Sequence, residues 1–230
     1  MPPSDNTTAH PSTAYDAQVR NTIPYYETFH QETINLLMAR PQPPRRWLDT
    51  GCGTGTLVER AAACFPETHF VLADPAPAML AEAQHKLAAL PTARIHVLEA
   101  AGTQEIPASY YGTFDVVTAI QAHHYLSREE RRRATTACCE LLAPGGIYIT
   151  FENIRPFTAE GIALGKAYWG QFQRSRGKSP AVVENHLQRF GVEYFPIPID
   201  EHLALLRESG FTVVEMLWYS YLQAGFYAIK

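Results

Sequence analysis

A loop of alternating glycines follows an acidic residue at the end of an apolar stretch. The residues are Asp49, Gly51, Cys52, Gly53 and Gly55. Glycine has no Cβ and adopts positive φ, so such a loop turns sharply and brings its backbone close to a ligand. Residues 54–63 then predict a helix whose first N–H groups point back into the loop. The dinucleotide motif G-x-G-x-x-G would have its third glycine at position 56, which is Thr here. The Gly-Lys-Ser/Thr ending of a P-loop is also missing, so the glycine spacing disfavours NAD and phosphate ligands. An aspartate here suits an ammonium or sulfonium group instead.

A second acidic residue follows the loop by about 20 residues, the distance at which an acid binds ribose hydroxyls in two-layer nucleotide folds. Residues 69–73 predict a strand, and Asp74 lies at its carboxyl end. Pro75 starts the next predicted helix, 75–90, and Met79 lies in its first turns. Asp74 is also a good N-cap for that helix, and the two roles are compatible.

Together these segments resemble the glycine motif of class I S-adenosylmethionine (SAM)-dependent methyltransferases. The resemblance implies SAM as cofactor. The residues expected to bind it are Asp49, Gly51, Cys52, Gly53, Gly55, Asp74, Pro75, Met79, Ala101 and Gln121. This fold often carries an acid after strand three that binds the adenine amine, but alanines occupy that place here. Backbone groups near Ala101, or Glu105, are the alternatives, and Gln121 is expected against the adenine or methionine part.

Strands and helices alternate along the chain from the glycine loop onward. Further strands are predicted at 95–98, 114–120 and 147–151, with a helix at 127–142 between the last two. Such alternation predicts right-handed crossovers and a mostly parallel sheet. Residues 212–219 and 225–229 predict a terminal antiparallel hairpin. The expected fold is therefore α/β: a Rossmann-like class I methyltransferase fold with a seven-stranded sheet.

The remaining segments define the expected organisation. Residues 1–14 are polar and rich in Pro, Ser and Thr, which indicates a disordered tail. Residues 15–44 predict an N-terminal helical cap interrupted at Pro24, and 45–230 the SAM-binding domain. Within that domain, 155–198 carries two predicted helices, 158–174 and 179–190. This helical insertion after strand five is interpreted as a substrate lid, a dimer surface or both.

Methyl transfer from a sulfonium requires the acceptor to be held close, water to be excluded and sometimes a proton to be removed. Ligands of open α/β sheets bind beyond the carboxyl ends of the strands. His123 and His124 follow strand four and are the candidate catalytic bases, with His123 preferred. The alternative is that neither histidine is catalytic and both only form local hydrogen bonds. The expected acceptor-binding residues are Tyr25, Tyr26, Glu152, Asn153, Arg155, Tyr168 and Trp169. No third ligand is spaced to join the histidines, so no metal is expected.

From Leu48 to Lys230 the chain also resembles the carboxy-S-adenosylmethionine synthase branch, which acts in tRNA wobble-uridine modification. The match is clearest from Phe172 through Phe211 and in the final hairpin. That branch implies a homodimer and an arginine that grips the cofactor's carboxylate. Leu187 stands at this place, with Arg189 half a turn away. An ordinary methyltransferase is therefore favoured.

Composition limits the partners and the cellular location that the sequence allows. The chain has 230 residues, 46% of them hydrophobic, and a net charge of −4. No basic domain is visible, which makes a nucleic-acid partner unlikely. Four cysteines without metal spacing indicate reduced thiols and a cytoplasmic protein, and no apolar run reaches membrane-spanning length.

The leading hypothesis is a methyltransferase that acts on an N, O or C atom of a small molecule. A carboxy-SAM synthase-like enzyme of tRNA modification is the second hypothesis. A non-catalytic SAM-binding regulatory module is the third.

Overall fold

The computed structural model describes residues 5–230, and their centre is a seven-stranded sheet in the order β3-β2-β1-β4-β5-β7-β6. Its strands are β1 (Arg46–Thr50), β2 (His69–Ala73), β3 (Ile95–Val97), β4 (Phe114–Ile120), β5 (Leu142–Asn153), β6 (Val213–Ser220) and β7 (Gln223–Ile229). Strands β1 to β5 pair in parallel, and β7 runs antiparallel to both β5 and β6. The predicted class I methyltransferase fold is confirmed, including its terminal hairpin.

Helices cover both faces of this sheet. Along residues 5–230 they are α1 (Tyr15–Val19), α2 (Tyr26–Met38), α3 (Thr56–Cys64), α4 (Pro77–Leu87), α5 (Arg128–Leu141), α6 (Ala159–Ser175), α7 (Pro180–Gln188) and α8 (Ile199–Glu208). Successive side chains of a strand point to opposite faces. Trp47 therefore packs with the cluster of α2, α3 and α4, whereas Leu48 packs with that of α5 and α8. The sheet is buried on both sides, which fixes its carboxyl edge as the place for a site.

Strand β5 begins earlier than the sequence predicts. The sequence predicts a strand over 147–151, but β5 already starts at Leu142, which pairs with Phe114. The register then shifts before Val116 pairs with Ile147. A register shift of this kind bends a strand locally without ending it.

The N-terminal segment differs from the expected disordered tail. Residues 1–4 lie outside the described residues, but 5–14 have defined contacts. The Asp5 carboxylate accepts the Ser12 hydroxyl at 2.6 Å, and the buried His10 ring bonds the Thr22 hydroxyl at 2.7 Å. Arg189 of the insertion donates to the Thr7 carbonyl at 2.8 Å. Low hydrophobicity indicated disorder, but the buried His10–Thr22 bond and the exposed Arg189–Thr7 bond hold this segment against the domain.

Candidate functional site

Three glycines at the carboxyl end of β1 hold the loop in a left-handed conformation. Gly51, Gly53 and Gly55 have φ values of +63°, +53° and +75°. A Cβ on Gly51 would lie 2.4 Å from the Cβ of Ala122, so this position admits no side chain. Gly53 instead has no atom within 4 Å of its would-be Cβ. The loop is therefore closely packed on one side and open on the other, as a backbone cradle requires.

Asp74 fixes the open side of this loop. Its carboxylate accepts the N–H groups of Gly53 and Ala76, both at 2.9 Å. Ala76, and not Asp74, is the N-cap of α4, although Asp74 bonds the Ala76 amide. Burial raises the pKa of Asp74. Each carboxylate oxygen has a further lone pair, so Asp74 can still accept from ribose hydroxyls.

Asp49 and Cys52 lie beneath the loop. The Asp49 carboxylate is buried and accepts the Thr118 hydroxyl at 2.6 Å. Burial raises its pKa to about 7, and the nearby charge of Asp74 adds to the shift. Burial also raises the pKa of the Cys52 thiol, and the Cys52 amide donates to the Ala73 carbonyl at 3.1 Å. Both residues support the loop, and neither lines the cavity above it.

A cavity of about 370 Å³ opens at this carboxyl edge of the sheet. Of the expected cofactor residues, those that line it are Gly51, Gly53, Asp74, Pro75, Met79 and Gln121. Gly55 lies behind the loop, where its would-be Cβ would meet Ala83 at 3.2 Å. Gln121 directly follows β4, and its backbone has a positive φ of +56°. The structure thus brings most of the predicted cofactor set around one space.

The turn after β3 contributes residues that sequence reasoning missed. Gly102, Thr103 and Gln104 line the cavity, whereas their neighbour Ala101 does not and donates its N–H to the Asp74 carbonyl at 3.2 Å. Glu105 is exposed and accepts the Gly102 N–H at 2.6 Å, so it does not face the cavity. The buried side-chain oxygen of Gln104 has no partner within residues 5–230. A ligand donor such as an amine satisfies this type of orphaned acceptor.

His123 lines the cavity, but both of its ring nitrogens are hydrogen-bonded to other side chains. Nε2 lies 2.9 Å from the Thr103 hydroxyl, and Nδ1 lies 3.2 Å from the Tyr148 hydroxyl. Burial lowers the pKa of His123 to about 4, so the ring is neutral near pH 7. A neutral ring fixed on both sides shapes the cavity wall; to act as a base it must first release one of these partners.

The second histidine, His124, lies below the cavity in a buried polar cluster. Its Nδ1 is 2.6 Å from a Glu152 oxygen, and its Nε2 is 3.1 Å from the Asn153 amide nitrogen. Glu152 also accepts the backbone N–H groups of His123 and His124, at 3.1 and 2.9 Å. Burial alone would raise the pKa of Glu152, but the His124 hydrogen bond and charge lower it to about 2. This carboxylate anchors the loop after β4, and neither it nor His124 lines the cavity.

The remaining predicted acceptor residues lie away from the cavity. Tyr25 is 56% exposed and packs edge-on against Trp218, and Arg155 is exposed. Tyr168 stacks on Tyr221 with ring centroids 3.9 Å apart.

Two further predicted residues are buried in the core instead. Tyr26 packs among α2 side chains and Tyr15. Trp169 is buried and donates its indole N–H to the Thr22 carbonyl at 2.7 Å. Neither residue lines the cavity, so aromatic residue type alone did not identify its wall.

The N-terminal segment closes part of the cavity instead. Residues 5–8 line it, together with Tyr15, Tyr125 and Leu126. We call residues 5–8 the N-terminal strap. Lys86 holds α1 to the glycine loop, since its Nζ lies 2.5 Å from Asp16 and 2.6 Å from the Thr56 hydroxyl. No periodicity or motif in the sequence pointed to the strap.

Leu187 occupies an apolar cluster of the insertion. It is buried with Trp169, Val183 and Tyr194. Arg189 is committed elsewhere, since it pairs with Glu193 at 2.6 Å and donates to the Thr7 carbonyl. Within the described residues, therefore, neither position offers a free guanidinium to a carboxylate.

No group of three or more His, Cys, Asp or Glu side chains in residues 5–230 is arranged to hold a metal ion. No helix of that part is both long and apolar enough to cross a membrane.

Comparison with known sequences agrees with this geometry. Residues 48–148 match the model of a family described as a methyltransferase domain. A carboxy-S-adenosyl-L-methionine synthase from Trichodesmium erythraeum is 25% identical over 217 residues, which are 94% of this chain and 85% of that protein. The enzyme of the same name from Marinobacter nauticus is 25% identical over 210 residues, covering 87% and 80%.

Solved structures share the fold. Phosphoethanolamine N-methyltransferase 2 of Haemonchus contortus has a TM-score of 0.69 at 15% identity, covering 95% of this chain and 57% of that one. An O-methyltransferase family protein from Burkholderia thailandensis has a TM-score of 0.66 at 17% identity, covering 95% and 59%. This chain thus spans less than two thirds of either. Residues 48–148 are thus a methyltransferase domain within a class I methyltransferase fold, and SAM is its cofactor.

Proposed function

We propose that this enzyme transfers the methyl group of SAM to a nitrogen, oxygen or carbon atom of a small molecule. The observation that carries the proposal is the cavity at the carboxyl edge of the sheet. Its volume of about 370 Å³ lies at the lower end of small-molecule sites. The strap and Tyr125 are part of its lining, and a partly covered cavity of this size favours a small molecule over a macromolecule.

The residues present fit SAM at three points. Asp74 would accept the ribose hydroxyls, because its carboxylate is already oriented by Gly53 and Ala76. The unpartnered oxygen of Gln104 would accept the adenine amine. The open backbone at Gly53 would lie against the amino-acid part. When bound, SAM supplies a methyl group activated by the sulfonium charge.

The protein's own part in the reaction is positioning. In-line transfer gains mainly from holding the two reactants in line and from excluding water. His123 contributes a neutral, fixed wall on the side of β4. An acceptor whose nucleophilic atom carries no proton, or loses it easily, needs nothing more. An acceptor that must be deprotonated would take its base from His123 after release of Thr103 or Tyr148.

A carboxy-SAM synthase activity is the second candidate, favoured by relatives of that name at 25% identity over most of the chain. The apolar environment of Leu187 and the bonds of Arg189 argue against it. A SAM-binding module without catalysis is the third. The proposal includes a cytoplasmic location, which rests on the cysteine content. It also includes a homodimer, which rests on the resemblance to carboxy-SAM synthases.

The test uses SAM with a deuterated methyl group, incubated with the protein and a small-metabolite extract of the source organism. We expect mass spectrometry to find a metabolite that gains the heavy methyl and is missing with Asp74→Ala. A cofactor species carrying an extra carboxylate would instead establish the second candidate. SAM binding without either product would support the non-catalytic module.

A further inference from the structure

A second, smaller chamber lies behind the cofactor cavity. Its volume is about 20 Å³, room for about one water-sized group. It shares four lining residues with the cavity, namely Thr8, Tyr15, Gln121 and Tyr125. These four residues therefore lie where the two spaces meet. The other side of the chamber is formed by the insertion, which includes Tyr194 and His186.

Two buried polar atoms of this chamber lack a partner within residues 5–230. They are the side-chain oxygen of Gln121 and the hydroxyl of Tyr194, in residues that are 7% and 2% exposed. Gln121 cannot simply rotate its amide, because its Nε2 donates to the Phe151 carbonyl at 3.3 Å. The Gln121 oxygen is therefore held in place, and leaving it unpaired costs free energy.

The two cations near the chamber are already engaged by other groups. Arg189 is paired with Glu193, and Lys178 donates to the Thr22 hydroxyl. Burial lowers the pKa of His10 to about 4 and that of His186 to about 3, so both rings are neutral. A carboxylate placed here would meet the Gln121 oxygen and no uncommitted cation among the described residues. A group that both donates and accepts satisfies Gln121 and Tyr194 together.

We propose that this chamber recognises a single hydroxyl or amino group of the methyl acceptor, with Gln121 and Tyr194 as its specificity-determining residues. The inference rests on the proposed function and narrows its substrate class. Given the chamber's size, the body of the acceptor lies in the main cavity beside the cofactor, and only its polar group enters the chamber.

The test measures fragment binding to the full chain saturated with S-adenosylhomocysteine, the product of methyl transfer. The probes are phenol, aniline, toluene and benzoate, which share one ring and differ in one group. Ligand-observed NMR titration is expected to show phenol and aniline binding about fivefold or more tighter than toluene or benzoate, the factor of one hydrogen bond.

Two variants tie that preference to the chamber. Tyr194→Phe removes only the hydroxyl, and Gln121→Asn keeps an amide that tolerates positive φ while withdrawing its oxygen. Each should bring the phenol-to-toluene ratio toward one. The matched control Tyr219→Phe, at a 55% exposed position, should leave the ratio unchanged. S-adenosylhomocysteine affinity should be unchanged in Tyr194→Phe, which shows that the variant is folded.

The outcomes separate the inference from the proposed function. Equal binding of toluene and phenol, preference for benzoate, or a ratio unaffected by Tyr194→Phe would each overturn the chamber's role while leaving methyl transfer intact. Failure of the unmodified protein to bind S-adenosylhomocysteine would count against the proposed function itself.

Discussion

The carboxylate of Asp74 accepts the backbone N–H of Gly53 at 2.9 Å, which joins two segments 21 residues apart. The same carboxylate bonds the amide of Ala76, at the start of α4. One side chain thus sets the shape of the glycine loop and the position of the next helix. The loop's open face and the acid that would bind ribose are therefore one connected unit.

Replacing Asp74 tests this unit directly. Asp74→Ala should weaken SAM binding on the order of 10- to 100-fold, because charge-assisted hydrogen bonds are lost from ligand and loop together. Isothermal titration calorimetry measures the change. Glu99→Ala removes the same charge from an exposed position just after β3 and should leave the affinity near that of the unmodified protein. Similar losses in both variants would make the effect one of net charge.

The buried Asp49 should make stability depend on pH. Its pKa rises from 3.8 to about 7 on folding, so between these values the folded state holds a proton that the unfolded chain has released. This contribution to stability therefore falls as pH rises from about 4 to about 7. Asp49→Asn removes it while keeping an acceptor for Thr118.

Urea unfolding at several pH values measures this effect. The stability advantage of Asp49→Asn over the unmodified protein should grow from pH 5 to pH 8, reaching at most about 4 kcal/mol. Other titrating groups are common to both proteins and cancel in the difference. A difference that stays constant with pH would mean that Asp49 is ionised throughout.

Glu152 should be required for the loop that follows β4. Glu152→Gln removes the charge that accepts from two backbone amides and from His124, which should cost about 3 kcal/mol of unfolding free energy. Glu129→Gln breaks an exposed ion pair with Arg132 and serves as the control, with stability nearly unchanged. If the two variants unfold alike, the buried carboxylate is not the anchor that its contacts indicate.

Arg189 should control the N-terminal strap. Arg189→Ala removes its hydrogen bond to the Thr7 carbonyl, so amide hydrogen exchange should accelerate across residues 5–14. SAM affinity should fall about tenfold, since the strap lines the cavity and a hydrogen bond to a charged group is lost. Arg207→Ala, at an exposed position in the last turn of α8, should change neither quantity. Unchanged exchange in the strap would show that other contacts hold it.

The sequence could predict the parts of this site that depend on local rules. Glycine spacing and the acid after β2 follow from how a strand meets a helix, so the sequence alone could place Gly51, Gly53 and Asp74 at one edge of the sheet. Thr103 and Gln104 were missed because a short turn of 3-10 helix, with no pattern of its own, presents them. The strap escaped detection because its polar composition is that of disordered segments.

The acceptor residues were the least predictable. Tyr25, Arg155 and Tyr168 were chosen for residue type and for their place after strands or in the insertion. Which face of an inserted helix meets the cavity depends on how that helix packs. The apolar faces of α6 and α7 pack against each other through Trp169 and Leu187, and not against the cavity. Periodicity marks an apolar face but does not state its partner.

The order of the last two strands also constrains how the chain acquires its structure. β7 follows β6 in the chain yet lies between β5 and β6, and it is β6's neighbour in the sheet. Until Gln223–Ile229 is in place, β6 has nothing to pair with and the edge of β5 from Ile147 to Asn153 is uncovered. Unpaired strand edges invite association with other chains. During synthesis, this edge of β5 therefore stays unpaired until the final strand arrives, and a chain interrupted after β6 would leave it exposed.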